Sequence, residues 1–338
     1  MKLSLGLSTL GGLLFALVLI GAEGFGAVTE AILAAEWGLL GVILLHGVPL
    51  LFSGLAWHRL LKGFQCSPVH LFIQARWIRE GVNDLLPVAQ VGGHVAGARF
   101  LTLHGVKAGL AGASVVVDVT MRLLAQLVFT LAGVVLLLSY GNQEASTVRW
   151  WVGGVLLAGL GLLGFILAQR WGLFKLLETG LQVVARKWEF PSLGKIQDLH
   201  DTIQVLYRDP SRLLMSGGFH LLSLMTGTLE VWVLLYLMGQ PIDLWEACLL
   251  ESLGQAVRTA GFAVPGALGV QEGGFLLLGG LVGVSPAASL GLSLAKRIRD
   301  VVLGVPALFT WQVWEGKQHS QDLGVQRNTS PSLPYLTN

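Results

Sequence analysis

The stretch GVNDLLPVAQVGGHVAGARF, Gly81 to Phe100, decides the fold, because it interrupts a chain that is otherwise overwhelmingly apolar. Asn83, Asp84, Pro87, Gly92, Gly93 and Arg99 do not belong on a lipid-facing helix. Around it, 53% of the 338 residues are hydrophobic and only 12% are charged, against roughly 25% charged in soluble domains. Mean hydropathy is +0.68. Apolar runs of about 20 residues, long enough to cross a bilayer, recur along the chain. The expected fold is therefore an all-α polytopic membrane protein. Its net charge of +2 says little, since in membrane proteins the distribution of charge carries the information. Cys66 and Cys248 are too few for a disulfide framework or a zinc site.

Six spans are expected, near 4–22, 38–57, 108–139, 150–169, 212–238 and 286–312. The first follows Lys2, is longer than a signal-peptide core and has a poor cleavage site in GAEGFG, so it reads as a retained signal-anchor helix. Residues 171–210 are different. Leu173, Leu177, Val184 and Trp188 fall on one helical face opposite Lys175, Gln182 and Arg186, and Ile196, Leu199, Ile203 and Leu206 repeat that spacing. This predicts an amphipathic pair on a membrane surface or packed beneath the bundle. The same loop and its edges hold Arg170, Lys175, Arg186, Lys187, Lys195, Arg208 and Arg212, while GNQEASTVR holds Arg149 alone and GQPIDLWE has no basic residue. The positive-inside rule makes 171–210 cytoplasmic and, counting spans outward, both termini as well. Residues 1–312 read as a single membrane domain and 313–338 as a disordered cytoplasmic tail.

A second irregular stretch, ESLGQAVRTAGFAVPGALGVQEGGFLLLGGLVGV from Glu251, aligns with the first without a gap at an offset of 178 residues. Pro87 matches Pro265, His94 matches Glu272 and Gly105 matches Gly283. The following spans carry Asp118 against Lys296 and, four residues on, Arg122 against Asp300, with the signs reversed. Repeat A covers about 80–139 and repeat B about 258–312. Three spans separate the copies, which inverts one relative to the other. Paired broken segments in inverted halves point to a transporter's substrate site, because irregular backbone persists in a membrane only where protein or a water-filled cavity satisfies it. The expectation is two re-entrant hairpins, with turns at Pro87 and at Pro265–Gly266 and with Gly92, Gly93 and Gly269 beside them.

Asp118, Arg122, Lys296, Arg297, Arg299 and Asp300 lie deep inside expected spans, where an isolated charge costs roughly 2.5–3.5 kcal/mol on insertion scales. Ser114, Asp118, Arg122, Gln126 and Thr130 form a polar stripe. Lys296, Arg299 and Asp300 share a face, as do His220, Ser223 and Glu230, and Glu251, Gln255, Arg258 and Thr259. One reading is a polar cavity for a charged or hydroxylated headgroup, with Arg122, Lys296 and Arg299 contacting an anion. The other is that Asp118–Arg122 and Lys296–Asp300 are i,i+4 pairs that merely neutralise each other, or that Asp118 reaches across to Lys296. His94 fits either a packing role or a proton- or ligand-linked one. No zinc-protease, Walker A, nucleophile-elbow or Cys-x-x-Cys motif is present, so neither enzyme chemistry nor a cofactor is expected, and nothing supports nucleic-acid binding.

NDLLP followed by GG, then PGALGVQE, then LSLAKRIRD, resembles the lysylphosphatidylglycerol synthase transmembrane region, or flippase-like, family. LLPVAQVGG, GFAVPGALGVQEGGFLLLGGLVGVSP and Trp311–Gln312 bring it closer to that family's hopanoid-biosynthesis-associated branch. The resemblance covers nearly the whole chain. It implies a bacterial inner-membrane protein acting on lipid distribution, with a membrane lipid as ligand and hopanoid-biosynthesis proteins as prospective partners. The family's motif positions fall on Asn83, Pro87, Gly92, Gly93, Arg99, Pro265, Gly266, Gly269, Glu272, Arg297 and Asp300. Position 94, usually glutamate in the family, is His94 here, so the carboxylate that would mirror Glu272 is absent. Only a short, mostly polar stretch follows Gln312, so aminoacyl transfer by this chain alone is not expected. Beside a lipid transporter, the alternatives are a non-transporting scaffold that docks lipid-biosynthetic enzymes through 171–210 and a membrane-embedded enzyme using Glu272 as acid or base on a lipid headgroup.

Overall fold

The computed structural model describes residues 38–64, 67–86, 92–139, 199–261 and 267–329, together with Glu30, Leu33, Val264 and scattered positions between 153 and 167. Among these the chain is helical and has no strand. The helices are α1 (Gly38–Leu45), α2 (Gly47–Leu61), α3 (Val69–Leu85), α4 (Gly92–Leu103) and α5 (Ala108–Ser139), then α6 (Leu199–Tyr207), α7 (Pro210–Leu237), α8 (Leu244–Ala260), α9 (Val270–Leu281) and α10 (Pro286–Thr329). Expected features at 4–22, at most of 150–169 and at 171–198, the turn residues Pro87, Pro265 and Gly266, and the segment beyond Thr329 lie outside the described residues.

Among the described residues three elements are long and apolar enough to cross a membrane: Gly38–Leu61, Ala108–Ser139 and Pro210–Leu237. The first comprises α1 and α2, joined through His46, whose N–H donates to Val42 O at 3.0 Å and whose carbonyl accepts from Leu50 N at 3.3 Å. The span expected at 286–312 is the first part of α10, where Lys296, Arg297, Arg299 and Asp300 break the apolar run. That helix continues to Thr329, past the point where the sequence predicts a tail, and Glu315 and Trp314 still engage α4 there through Arg99 and Phe100. Pro306 sits inside it.

The long helices are amphipathic in the membrane sense. On α7, Leu222, Met225, Leu229, Trp232 and Tyr236 are exposed along one face, while Ser216, His220, Ser223 and Glu230 are buried along another. On α5, Val128, Leu131, Val135 and Leu138 face outward, and Ser114, Asp118 and Thr130 inward. An apolar rim around a polar interior is the arrangement lipid demands.

Packing divides the bundle into two halves. One apolar core joins α2, α3, α4 and the start of α5 through Trp57, Phe72, Ile78, Phe100 and Ala111. Another joins α7, α8, α9 and α10, with α1 and the end of α5, through Leu234, Leu250, Phe275 and Leu292. Across the seam the halves exchange elements: α3 packs on α10, α8 packs on α5, and α2 packs on α7. Both ends of α9 and the start of α10 lie 178 residues after their counterparts in α4 and α5. Gly105 and Gly283 follow α4 and α9 at φ of 88° and 76°, a left-handed conformation that costs glycine nothing. There Val106 N donates to Leu101 O and Val284 N to Gly279 O, the six-to-one closure of a Schellman cap. The buried residues Ile203 and Leu206 of α6 pack against Leu60, Val117 and Met121, so this part of the amphipathic loop lies against the bundle.

The α3–α4 crossing is the tightest constraint on the site. Gly93 N donates to Asn83 Oδ1 at 2.9 Å, and a Cβ on Gly93 would collide with the backbone carbonyl of Arg79. Gly93→Ala is therefore expected to cost about 1–3 kcal/mol, as overpacking does, and to lower the midpoint of thermal unfolding in detergent. Gly218→Ala, on an open face of α7, is expected to leave that midpoint unchanged or slightly raised.

Candidate functional site

The seam between the halves encloses a polar cavity of about 430 Å³, within the range of small-ligand pockets. One face of α3 supplies Arg76, Arg79, Glu80, Asn83 and Asp84, at the helical spacing that aligns them. Arg122 and Gln126 come from α5, His94 from α4, His46 from the α1–α2 junction, Gln255, Arg258 and Thr259 from α8, and Arg299 and Asp300 from α10.

Most of these charges are matched across helices. Arg79 Nη1 donates to Asp118 Oδ2 at 2.6 Å, and Asp118 Oδ1 accepts from His220 Nε2 at 2.9 Å, all three groups being buried. Arg258 Nη2 bridges Asp84 at 2.8 Å and Asp300 at 3.2 Å. Arg299 pairs with Glu230 and, through Nη2, with Asp300 at 2.7 Å. Lys296 pairs with Glu251, and Arg76 Nη2 with Glu80 at 2.8 Å within α3. Asp118 and Lys296 stand at matched positions of α5 and α10 with opposite sign, and each pairs with a residue of another helix.

Arg122 differs. Its Nη1 reaches only Ser53 Oγ, at 3.4 Å, and among the described residues no carboxylate pairs with it. It is a guanidinium directed into a low-dielectric cavity with donors unspent, the arrangement that favours carboxylate or phosphate.

The i,i+4 expectation does not hold: Asp118 turns to Arg79 and His220 instead of Arg122 or Lys296, and Lys296 turns to Glu251 instead of Asp300. Interhelical partners win because they satisfy two buried helices at once, while an intrahelical pair leaves the facing charge alone. Of the residues proposed from sequence, Asn83, His94, Arg122, Arg299 and Asp300 line the cavity. Asp118 and Lys296 stand behind its wall. His94 Nε2 accepts from Arg79 Nη2 at 2.7 Å, so His94 supports the arginine that Asp118 also holds.

Others lie elsewhere. Arg99 makes an exposed ion pair with Glu315 at 3.2 Å. Glu272 caps α9, accepting from Gly269 N at 2.7 Å, and pairs with Arg297, which also donates to Ala267 O at 3.3 Å. This cluster holds α9 to α10. Gly92 begins α4, and Gly269, at φ 76°, is the N-cap of α9.

Arg76, Arg79, Glu80 and His46 are functional candidates that the sequence reading missed. Arg76, Arg79, Glu80 and Asn83 stand at i, i+3, i+4 and i+7, a visible signal once the irregular stretch is extended backward from Gly81.

A profile of the lysylphosphatidylglycerol synthase TM region matches residues 3–307, and the chain belongs to that family, among membrane proteins connected with lipid. No curated protein and no solved structure matches it.

Removing one member of a buried pair strands the other at a cost of about 3–5 kcal/mol. Lys296→Met and Glu251→Leu are each expected to destabilise strongly, and the double variant less than either, measured as a double-mutant cycle by unfolding in detergent.

Proposed function

We propose that this member of the family is a lipid transporter of flippase-like type, which holds a headgroup in the seam cavity while the acyl or hopanoid tails stay in lipid. The substrate is an anionic phospholipid or a hopanoid-associated lipid. One observation carries this reading: among the described residues Arg122 lines the polar cavity with no carboxylate paired to it, while Arg76, Arg79, Arg258 and Arg299 each have one. A guanidinium that meets only a hydroxyl there keeps most of its donors for an anionic visitor.

The α3–α4 and α8–α9 pairs are read as re-entrant hairpins of an inverted repeat. Helices α4 and α9 have 12 residues each, about 18 Å of rise against a hydrocarbon core of about 30 Å. The exchanged packing of α3 on α10 and of α8 on α5 supports a two-fold relation between the halves. Rocking one half against the other would expose the cavity to alternate sides. The positive charge of the 171–210 stretch would put that side of the bundle at the anionic inner leaflet, with both termini cytoplasmic in a bacterial inner membrane. The reading needs no covalent step and no nucleotide.

Purified in mild detergent, the wild-type protein is expected to retain one lipid class above its share of the bulk membrane, as read by mass spectrometry. Arg122→Gln is expected to lose that enrichment by about tenfold or more, since a charge-assisted hydrogen bond contributes about 1.5–3 kcal/mol. Arg212→Gln, which lies outside the cavity where Arg212 pairs with Asp209 and stacks over Phe64, is expected to keep it. Lipid profiles that follow the bulk membrane in all three would sink the headgroup reading.

A further inference from the structure

The α1–α2 junction places an imidazole where three polar cavities share walls. His46 and Glu80 both line the 430 Å³ cavity and two smaller ones of about 40 and 10 Å³. His46 sits between two carboxylates from different helices: Nδ1 is 2.8 Å from Glu230 Oε1 of α7, and Nε2 is 3.8 Å from Glu80 Oε2 of α3. Its side chain is 17% exposed, against 1% for Glu230.

Hydrogen-bond chemistry sets the tautomer. An ionised carboxylate only accepts, so at 2.8 Å the Nδ1 of His46 must carry the hydrogen it donates to Glu230. In the neutral ring Nε2 is then a lone pair facing a carboxylate oxygen 3.8 Å away, acceptor against acceptor. One proton on Nε2 turns that mismatch into a donor aimed at a waiting acceptor.

The surroundings decide what would supply the driving force. From α3 come Glu80 and Asp84, with Arg76 already bound to Glu80 Oε1. Helix α7 offers Glu230, and α10 offers Arg299, bound to Glu230, and Asp300. Helix α5 offers Arg122, and α8 offers Glu251 and Arg258. Apart from Arg122, these cations are committed to carboxylates. Arg76, Arg258 and Arg299 are shared among four carboxylates, Glu80, Asp84, Glu230 and Asp300, so Arg122 offsets the one negative charge left over, and an anion docked on it would leave the cavities one charge in excess. Of the two imidazoles lining the large cavity, His94 already gives its Nε2 to Arg79, which leaves His46 to answer with a positive charge near neutral pH.

We propose that His46 is a proton-binding site coupled to the anion site: it takes a proton from water at Nε2 as an anionic headgroup arrives at Arg122 and releases it as the headgroup leaves. This rests on the headgroup reading above and adds the coupled ion. Each cycle moves one anion and one proton together, so the charge inside the bundle is the same loaded and empty. A proton gradient would then drive net lipid movement.

The test is calorimetric titration of the full-length protein in detergent with dioctanoyl phosphatidylglycerol, in two buffers of different ionisation enthalpy. The wild type is expected to take up about one proton per lipid bound near neutral pH, with binding tightening by up to about tenfold per pH unit as pH falls through the histidine range. His46→Gln is expected to show no uptake and no such pH dependence, and Glu80→Gln a reduced uptake. Wild-type binding without proton uptake overturns the coupling and leaves the headgroup site standing, as does undiminished uptake in His46→Gln. Failure of the wild type to bind the lipid at any pH overturns both.

Discussion

A charge inside a lipid-facing bundle is tolerated only when it meets its opposite, and in this protein the opposite almost always comes from another helix. Asp118 of α5 holds Arg79 of α3 and His220 of α7. Lys296 of α10 holds Glu251 of α8, and Glu230 of α7 holds Arg299 of α10. The desolvation cost of each pair is not recovered by apolar packing, so these contacts act less as a source of stability than as a specification of which helices meet and in what register. Shifting α5 or α10 by one residue along its axis would leave several buried charges unmatched together. The polar seam is thus what forces the two apolar cores into one arrangement.

The short helices depend on that seam as much as they line it. Neither α4 nor α9 has the length to bridge a bilayer alone. Each is tied down by a different device. Helix α4 uses the Gly93–Asn83 hydrogen bond and the His94–Arg79 contact, while α9 uses the Glu272–Arg297 pair and its Gly269 cap. At offset 178 from Glu272 and Arg297 the first half has His94 and Val119, so no ion pair of that kind can form there. The halves share a frame and differ in how tightly their hairpins are fastened.

Much of this was legible in the residues. The all-helical class, the spans expected at 38–57 and 108–139, which the structure has at 38–61 and 108–139, and the polar stripe through Asp118 and Arg122 follow from hydropathy and helical period. What sequence could not decide was pairing. Asp118 stands four residues from Arg122, and local proximity makes that contact the natural expectation; the structure prefers Arg79, 39 residues away, because three-dimensional packing brings it to the same depth. Arg76, Arg79 and Glu80 were overlooked for a related reason. They belong to a regular helix just before an irregular stretch, and the irregularity drew attention away from the face that carries the charge. His46 is a lone histidine in an apolar run, and nothing nearby in the chain announces that Glu230 and Glu80 flank it.

Pro306 has a mechanical consequence. A proline inside a helix removes one backbone hydrogen bond and presses on the preceding turn. In α10 it falls between the charge cluster at 296–300 and the outer segment where Trp314 and Glu315 grip α4. The helix is therefore two stiff rods with a compliant joint, one rod clamped in the ionic seam and the other riding on the first hairpin. Strain arising where the outer rod meets the end of α4 can be taken up at that joint, and so need not pass to the ion pairs at 296–300.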